Sequence, residues 1–212
     1  NYDTGISRTD LVREMLNPVP PGGGVPFAGE QTQNLFYSGK YAWNGFPPPP
    51  PLPPPPAPAG APAPAAAPAA AAAPAFPVGP APQAEAVVVE RRLALWSTPH
   101  GFLKAAANPA HNATTRAVAG GTEVTLTLDG KHRIVGLIDR TNQLVRVSTR
   151  VPNLVMGDML VETTYSDYRD FAGVRFPGRV VQRQGGQPAL DLTVTTVERN
   201  PNVSFVIPAS VY

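Results

Sequence analysis

Three histidines, His100, His111 and His132, are the only imidazoles in a 212-residue chain that has no cysteine. A serine nucleophile needs such a base within hydrogen-bond reach, and no Gly-x-Ser-x-Gly elbow presents a serine to one of them. The histidines stand 11 and 21 residues apart, so no short-spaced pair offers two ligands to one metal ion. Carboxylates are denser in one place, where Asp158, Glu162, Asp167 and Asp170 follow one another. Asp158, Glu162 and Asp170 share strand parity, an arrangement suited to a general acid and base. The arginines around them favour a plainer role, as partners in cross-strand ion pairs on a solvated face. Gly22-Gly23-Gly24 leads into Val25-Pro26 instead of a helix opening with Lys-Ser/Thr, so it is no phosphate loop. Lack of cysteine excludes disulfides, thiolate nucleophiles and Cys-type zinc sites. Catalytic residues, metal ligands and cofactors are therefore not expected in this chain, and an enzyme acting through it alone is a weaker reading than a binding or scaffolding role.

The elements that would position these residues are limited by proline. Of 28 prolines, 17 lie between Pro47 and Pro82, a stretch unable to build a helix or an interior strand. That leaves 128 residues from Glu85 to Tyr212, enough for one hydrophobic core. The net charge of +2 is split between 3 basic and 4 acidic side chains in residues 1–84 and 14 basic and 11 acidic ones in 85–212. Basic residues alternate with acids and never cluster beyond Arg91-Arg92, so no nucleic-acid footprint is expected. No apolar run approaches the roughly 20 residues of a membrane span, and no charged-then-apolar export signal opens the chain. A chain beginning at Asn1 is expected to be a mature or truncated product.

Three regions follow: an N-terminal arm (1–46), a Pro/Ala-rich linker (47–84) and a sheet domain (85–212). In the arm, Asp10 to Leu16 is expected to make one or two helical turns, with Asp10 as cap and Leu11 and Met15 four residues apart. Gln33 to Trp43 is expected to be a strand whose rings, Phe36, Tyr37, Tyr41 and Trp43, bind a partner outside the segment. The linker has no charged side chain. Its run Pro47–Pro56 predicts polyproline II, and its 38 residues reach on the order of 100 Å when extended, so the arm docks in cis or in trans.

Ala86 to Trp96 is expected to begin as a strand or a helix and to pass into a short helix with Leu93 and Trp96 inward. Thr98-Pro99 then caps a second helix striped by Phe102, Leu103 and Ala106. After Gly120-Gly121 the apolar period becomes two. Asp129-Gly130, Asp139 to Asn142, Ala172-Gly173 and Gly185-Gly186 mark the turns, the first of them a hairpin with positive φ. Alternate positions give a candidate apolar face of Val145, Val147, Val161, Tyr165, Val174, Phe176, Val180, Leu190, Leu192 and Val194. The fold class is thus mainly β with a few helices (α+β): a curved antiparallel meander or incomplete barrel of six or seven strands, packed on short helices.

Three runs carry a resemblance. They are Leu95-Trp-Ser-Thr-Pro-His-Gly-Phe-Leu-Lys-Ala-Ala106, Gly157-Asp-Met-Leu-Val-Glu-Thr-Thr-Tyr-Ser-Asp-Tyr-Arg-Asp-Phe-Ala-Gly-Val-Arg-Phe-Pro177 and Gln182-Arg-Gln-Gly-Gly-Gln-Pro-Ala-Leu-Asp-Leu-Thr-Val194. The chain resembles the region preceding the catalytic domain of exported bacterial metallo-β-lactamase-fold hydrolases, and its sheet is similar to LolA/LolB-like outer-membrane lipoprotein-sorting domains. The resemblance implies a periplasmic, secreted or cell-surface setting. The zinc motif His-x-His-x-Asp-His of such hydrolases is not in these residues, so no metal-binding or catalytic residue carries over. The first functional expectation is a non-catalytic accessory domain of a metallo-hydrolase, holding an apolar ligand between sheet and helices. The alternatives are a self-assembling surface or filament subunit, whose arm adds to a neighbour's sheet, and a stand-alone carrier of lipid or lipoprotein acyl chains.

Overall fold

The computed structural model of the chain describes residues 1–13, 31–45, 80–153, 157–199 and 206–212. The expectations for the linker residues 47–79 and for Gly22 to Gly24 lie outside these residues. Over the described residues the protein is mainly β, with two α-helices and two antiparallel sheets, of three and seven strands.

The small sheet comprises β1 (Ile6–Arg13), β2 (Gln31–Ser38) and β3 (Tyr41–Gly45) in that order. Residues 10–13 are therefore strand, not the expected helix, and 14–16 lie outside the described residues. The weak helical preference of so short a run yields to pairing with β2, which continues in register from Ile6↔Ser38 to Arg13↔Gln31. Gln33 to Trp43 is two strands instead of one. Gly39, at φ +58°, supplies the left-handed residue that folds the hairpin back.

α1 (Glu85–Ser97) opens with an acidic residue that suits the positive end of the helix dipole, and buries Val89 and Leu93, one turn apart. It stops because Thr98 precedes a proline and is extended, at φ −64° and ψ 154°. Pro99 then starts α2 (Pro99–Ala107). Thr98 is its N-cap by position, but the hydroxyl donates backwards to the Leu95 carbonyl at 2.7 Å instead of capping α2. Phe102 and Ala105 are fully buried, whereas Leu103, expected inward, is 45% exposed. The core side of α2 is set by Phe102 and Ala105, with Ala106 packed at its margin, and Leu103 falls outside it.

The large sheet is a meander of β4 (Thr114–Val118), β5 (Gly121–Leu128), β6 (His132–Asp139), β7 (Leu144–Asn153), β8 (Gly157–Phe171), β9 (Val174–Gln184) and β10 (Gln187–Thr193). Each strand pairs antiparallel with the next, and the sheet does not close into a barrel, so β4 and β10 are its edges. The turns use left-handed backbone where the sequence provides it, at Asp129 (φ +52°) with Gly130 (+64°) and at Gly185 (+56°) with Gly186 (+83°). Both helices lie against one face. Leu93 and Phe102 pack there with Val124, Leu126, Ile134 and Val147, each close to fully buried. Burial of one such side chain stabilises the fold by about 1.5–3 kcal/mol.

Candidate interaction surfaces

The arm is docked on its own chain. β2 and β3 pack on α1, where the Arg91 guanidinium donates to the Phe36 carbonyl at 2.8 Å, to the Trp43 carbonyl at 2.7 Å and to the Asn44 side-chain oxygen. Burial pushes the Arg91 pKa down from its usual value. β3 is extended on its other side by the Trp43↔Pro82 bridge and by the Gln83 amide, which donates to the Ala42 carbonyl at 2.8 Å. The C-terminal residues close the same corner: Val211 is buried, Tyr212 meets Tyr41 edge to face at 5.2 Å, and Ser210 donates to the Pro80 carbonyl. Of the four arm aromatics, Tyr37 and Trp43 are buried within this chain. Phe36 stacks on Trp43 at 5.1 Å, and it and Tyr41 stay half-buried. At the other end of α1, the Tyr2 hydroxyl donates to Thr98 Oγ1 at 2.9 Å, and Asp3 pairs with Lys104.

The apolar face is divided by what covers it. Val147, Val161 and Tyr165 lie in the core, with Val180 packed at its margin. Val145 does not join them. Ile138 pairs with Leu144 and Leu137 with Arg146, so Val145 is the extra residue of a β-bulge, and Leu144 takes the buried position at 3% exposure. The bulge follows the tight loop closed by Asp139, whose carboxylate accepts from the Thr141 and Gln143 amides, each at 2.9 Å. Val174 and Phe176 are half-buried, with the Phe176 ring 5.5 Å from His100. Leu192 pairs with Val180 and Leu190 with Gln182, which extends the core-facing rows of β8 and β9 onto β10. No helix reaches them among the described residues, and they stand 38% and 46% exposed, Leu190 and Leu192 respectively. Val194 follows β10, its amide donating to the Gly178 carbonyl at 2.8 Å.

Polar groups inside this face were not expected from the sequence. Thr149 and Thr163 are buried between apolar neighbours of the same parity, Val147 and Val151, and Val161 and Tyr165. That parity was the available signal. Thr149 donates to the Arg133 carbonyl at 2.9 Å, and Thr163 accepts from the Gln182 amide at 3.3 Å. Tyr165 donates to the Ser97 carbonyl at 2.5 Å, tying β8 to the end of α1, and burial drives its pKa far above the usual tyrosine range. Tyr168 donates to the Leu144 carbonyl at 2.7 Å, and burial pushes its pKa up to about 12.

The carboxylates of β8 do not converge. Asp158 and Glu162 lie roughly 13 Å apart along the strand. Asp167, at φ +56°, interrupts the alternation, so Tyr168 joins Tyr165 at the core and the shared parity does not extend to Asp170. Glu162 is 3.7 Å from Arg146, and Asp170 accepts from the Gly173 amide at 2.8 Å. The histidines are equally dispersed: His111 bonds the Ala105 carbonyl, His100 meets Phe176, and His132 sits at the β6 end, where burial and Arg92 lower its pKa. Among the described residues no three His, Asp or Glu side chains are grouped to hold a metal ion, and no helix is long and apolar enough to cross a membrane. The chain matches no protein-family model, no curated protein and no solved structure.

Proposed function

We propose that this chain is a non-catalytic accessory domain that precedes and positions a catalytic domain in one polypeptide, the exported metallo-hydrolase that its sequence resembles. The observation that carries the reading is the β9–β10 end of the apolar face, which no helix covers among the described residues. Helices α1 and α2 cover the face from β5 to β8, while Leu190 and Leu192 continue it in register onto an exposed edge strand. An apolar strip on an edge strand is a liability in an isolated domain and is suited to a partner that covers it. Within the covered part, Phe102 packs directly on the β6 backbone, so an apolar ligand would sit toward β9–β10 and not beneath the helices.

The test is Leu190→Asp with Leu192→Asp, made in the full gene product and in the 212-residue chain. The isolated chain should stay folded, losing about 1–3 kcal/mol, since each side chain is only partly exposed. The full product should lose protection of β9–β10 from proteolysis. Unfolding of the isolated chain would make these residues structural and sink the docking role.

A further inference from the structure

The outward face of the large sheet carries a second surface that the accessory role does not use. A depression of about 850 Å³ runs round the end of β6–β8, from the first turn of α1 on the helix-covered side to Arg133 and Arg150 on the outward side. The β6–β7 register pairs Ile134 with Thr149, and one step further it sets Arg133 beside Arg150 on adjacent strands. Like charges facing each other across a sheet repel. Other arginines of this sheet are neutralised: Arg116 by Glu123 at 2.9 Å, Arg179 by Asp191 at 2.7 Å and Arg146 by Glu162 at 3.7 Å.

Arg133 and Arg150 have only neutral acceptors among the described residues. Arg133 donates to Thr125 Oγ1 at 3.5 Å and Arg150 to the Asp158 carbonyl at 3.1 Å. Lys131 adds a third cation at the same depression. The acids that line it are Glu123, already engaged by Arg116, Glu85, and Asp158, whose backbone carbonyl accepts from Arg150. Four cations, with Arg116, against three acids leave a net +1 from the Arg, Lys, Asp and Glu side chains. Apolar surface adjoins the guanidinium pair. Leu160 is the direct β7–β8 partner of Arg150 and is 39% exposed, and Val135 follows two residues after Arg133.

We propose that this depression binds an amphipathic anion, its carboxylate or phosphate held by Arg133 and Arg150 and its apolar chain laid on Val135 and Leu160. Two guanidinium groups side by side match such a head group bidentately, and bound charge would relieve their repulsion.

The experiment is calorimetric titration of the full chain with sodium decanoate below its micelle concentration, with decanol and with inorganic phosphate. Decanoate should bind saturably, and decanol and phosphate at least about tenfold more weakly, because each supplies only half of the recognised chemistry. Arg133→Gln with Arg150→Gln should weaken decanoate about tenfold or more, without lowering the unfolding temperature. In the unaltered protein, decanoate should shift the amide resonances of Val135 and Leu160 and leave those of β10 in place, a readout that does not depend on a variant folding. No saturable decanoate binding, unchanged affinity in the folded double variant, or phosphate binding as tight as decanoate would each overturn the assignment. The docking role of Leu190 and Leu192 is read separately, by proteolysis of the full product.

Discussion

The ring of Phe102 fills the space that a β-carbon on Gly136 would need. Such an atom would lie 2.3 Å from Phe102 Cζ and 2.4 Å from Cε1. Helix α2 therefore rests directly on the backbone of β6, and Gly136 sets how closely helix and sheet approach. Gly136→Ala should destabilise the chain by about 1–3 kcal/mol through overpacking. Adding Phe102→Leu should recover part of that loss. Chemical denaturation of the two single variants and the double measures the coupling, and purely additive effects would contradict the contact.

Arg91 joins the small sheet to α1 through three acceptors on β2 and β3. Arg91→Met removes the one guanidinium that bonds two strand carbonyls and the Asn44 amide oxygen, and should cost about 2–4 kcal/mol. The loss should be local. Limited proteolysis would release the arm, and Trp43 fluorescence would shift to the red, before the large sheet unfolds. A single transition with unchanged Trp43 emission would show that Arg91 does not hold the arm.

Alkaline pH should weaken the fold through its tyrosines. Tyr168 titrates at about 12 in the folded chain, and an unfolded tyrosine near 10. A raised pKa means the folded state keeps a proton that the unfolded state gives up, so this contribution is full below pH 10 and is lost as pH rises toward 12. Tyr165, shifted in the same direction, adds to the loss. Tyr168→Phe loses the bond to Leu144 and should be less stable at pH 8, yet the gap to the unaltered protein should narrow between pH 10 and 12. A constant gap would show that Tyr168 does not titrate in that window.

Much of the large sheet was legible because its determinants are local. Asp129-Gly130 and Gly185-Gly186 demand left-handed backbone, and Val124, Leu126 and Leu128 alternate with polar residues, so turns and faces follow from short runs of sequence. What was not legible depends on tertiary contact. Asp10 to Arg13 carries a weak helical pattern but lies beside β2, a pairing across residues that local pattern does not connect. Val145 and Val147 share parity in sequence, and only the bulge after the Asp139 loop puts Leu144 in the core instead. The surfaces divide the same way. Leu190 and Leu192 were visible as apolar positions, but their exposure depends on where the helices end. Arg133 and Arg150 are 17 residues apart in sequence and become neighbours only through the β6–β7 register.

The central claim is that these residues form the accessory part of a longer hydrolase, and the coding sequence past Tyr212 tests it most directly. Sequencing the transcript should reveal a reading frame that continues through Tyr212 into a His-x-His-x-Asp-His motif. A stop codon immediately after Tyr212 would contradict the claim.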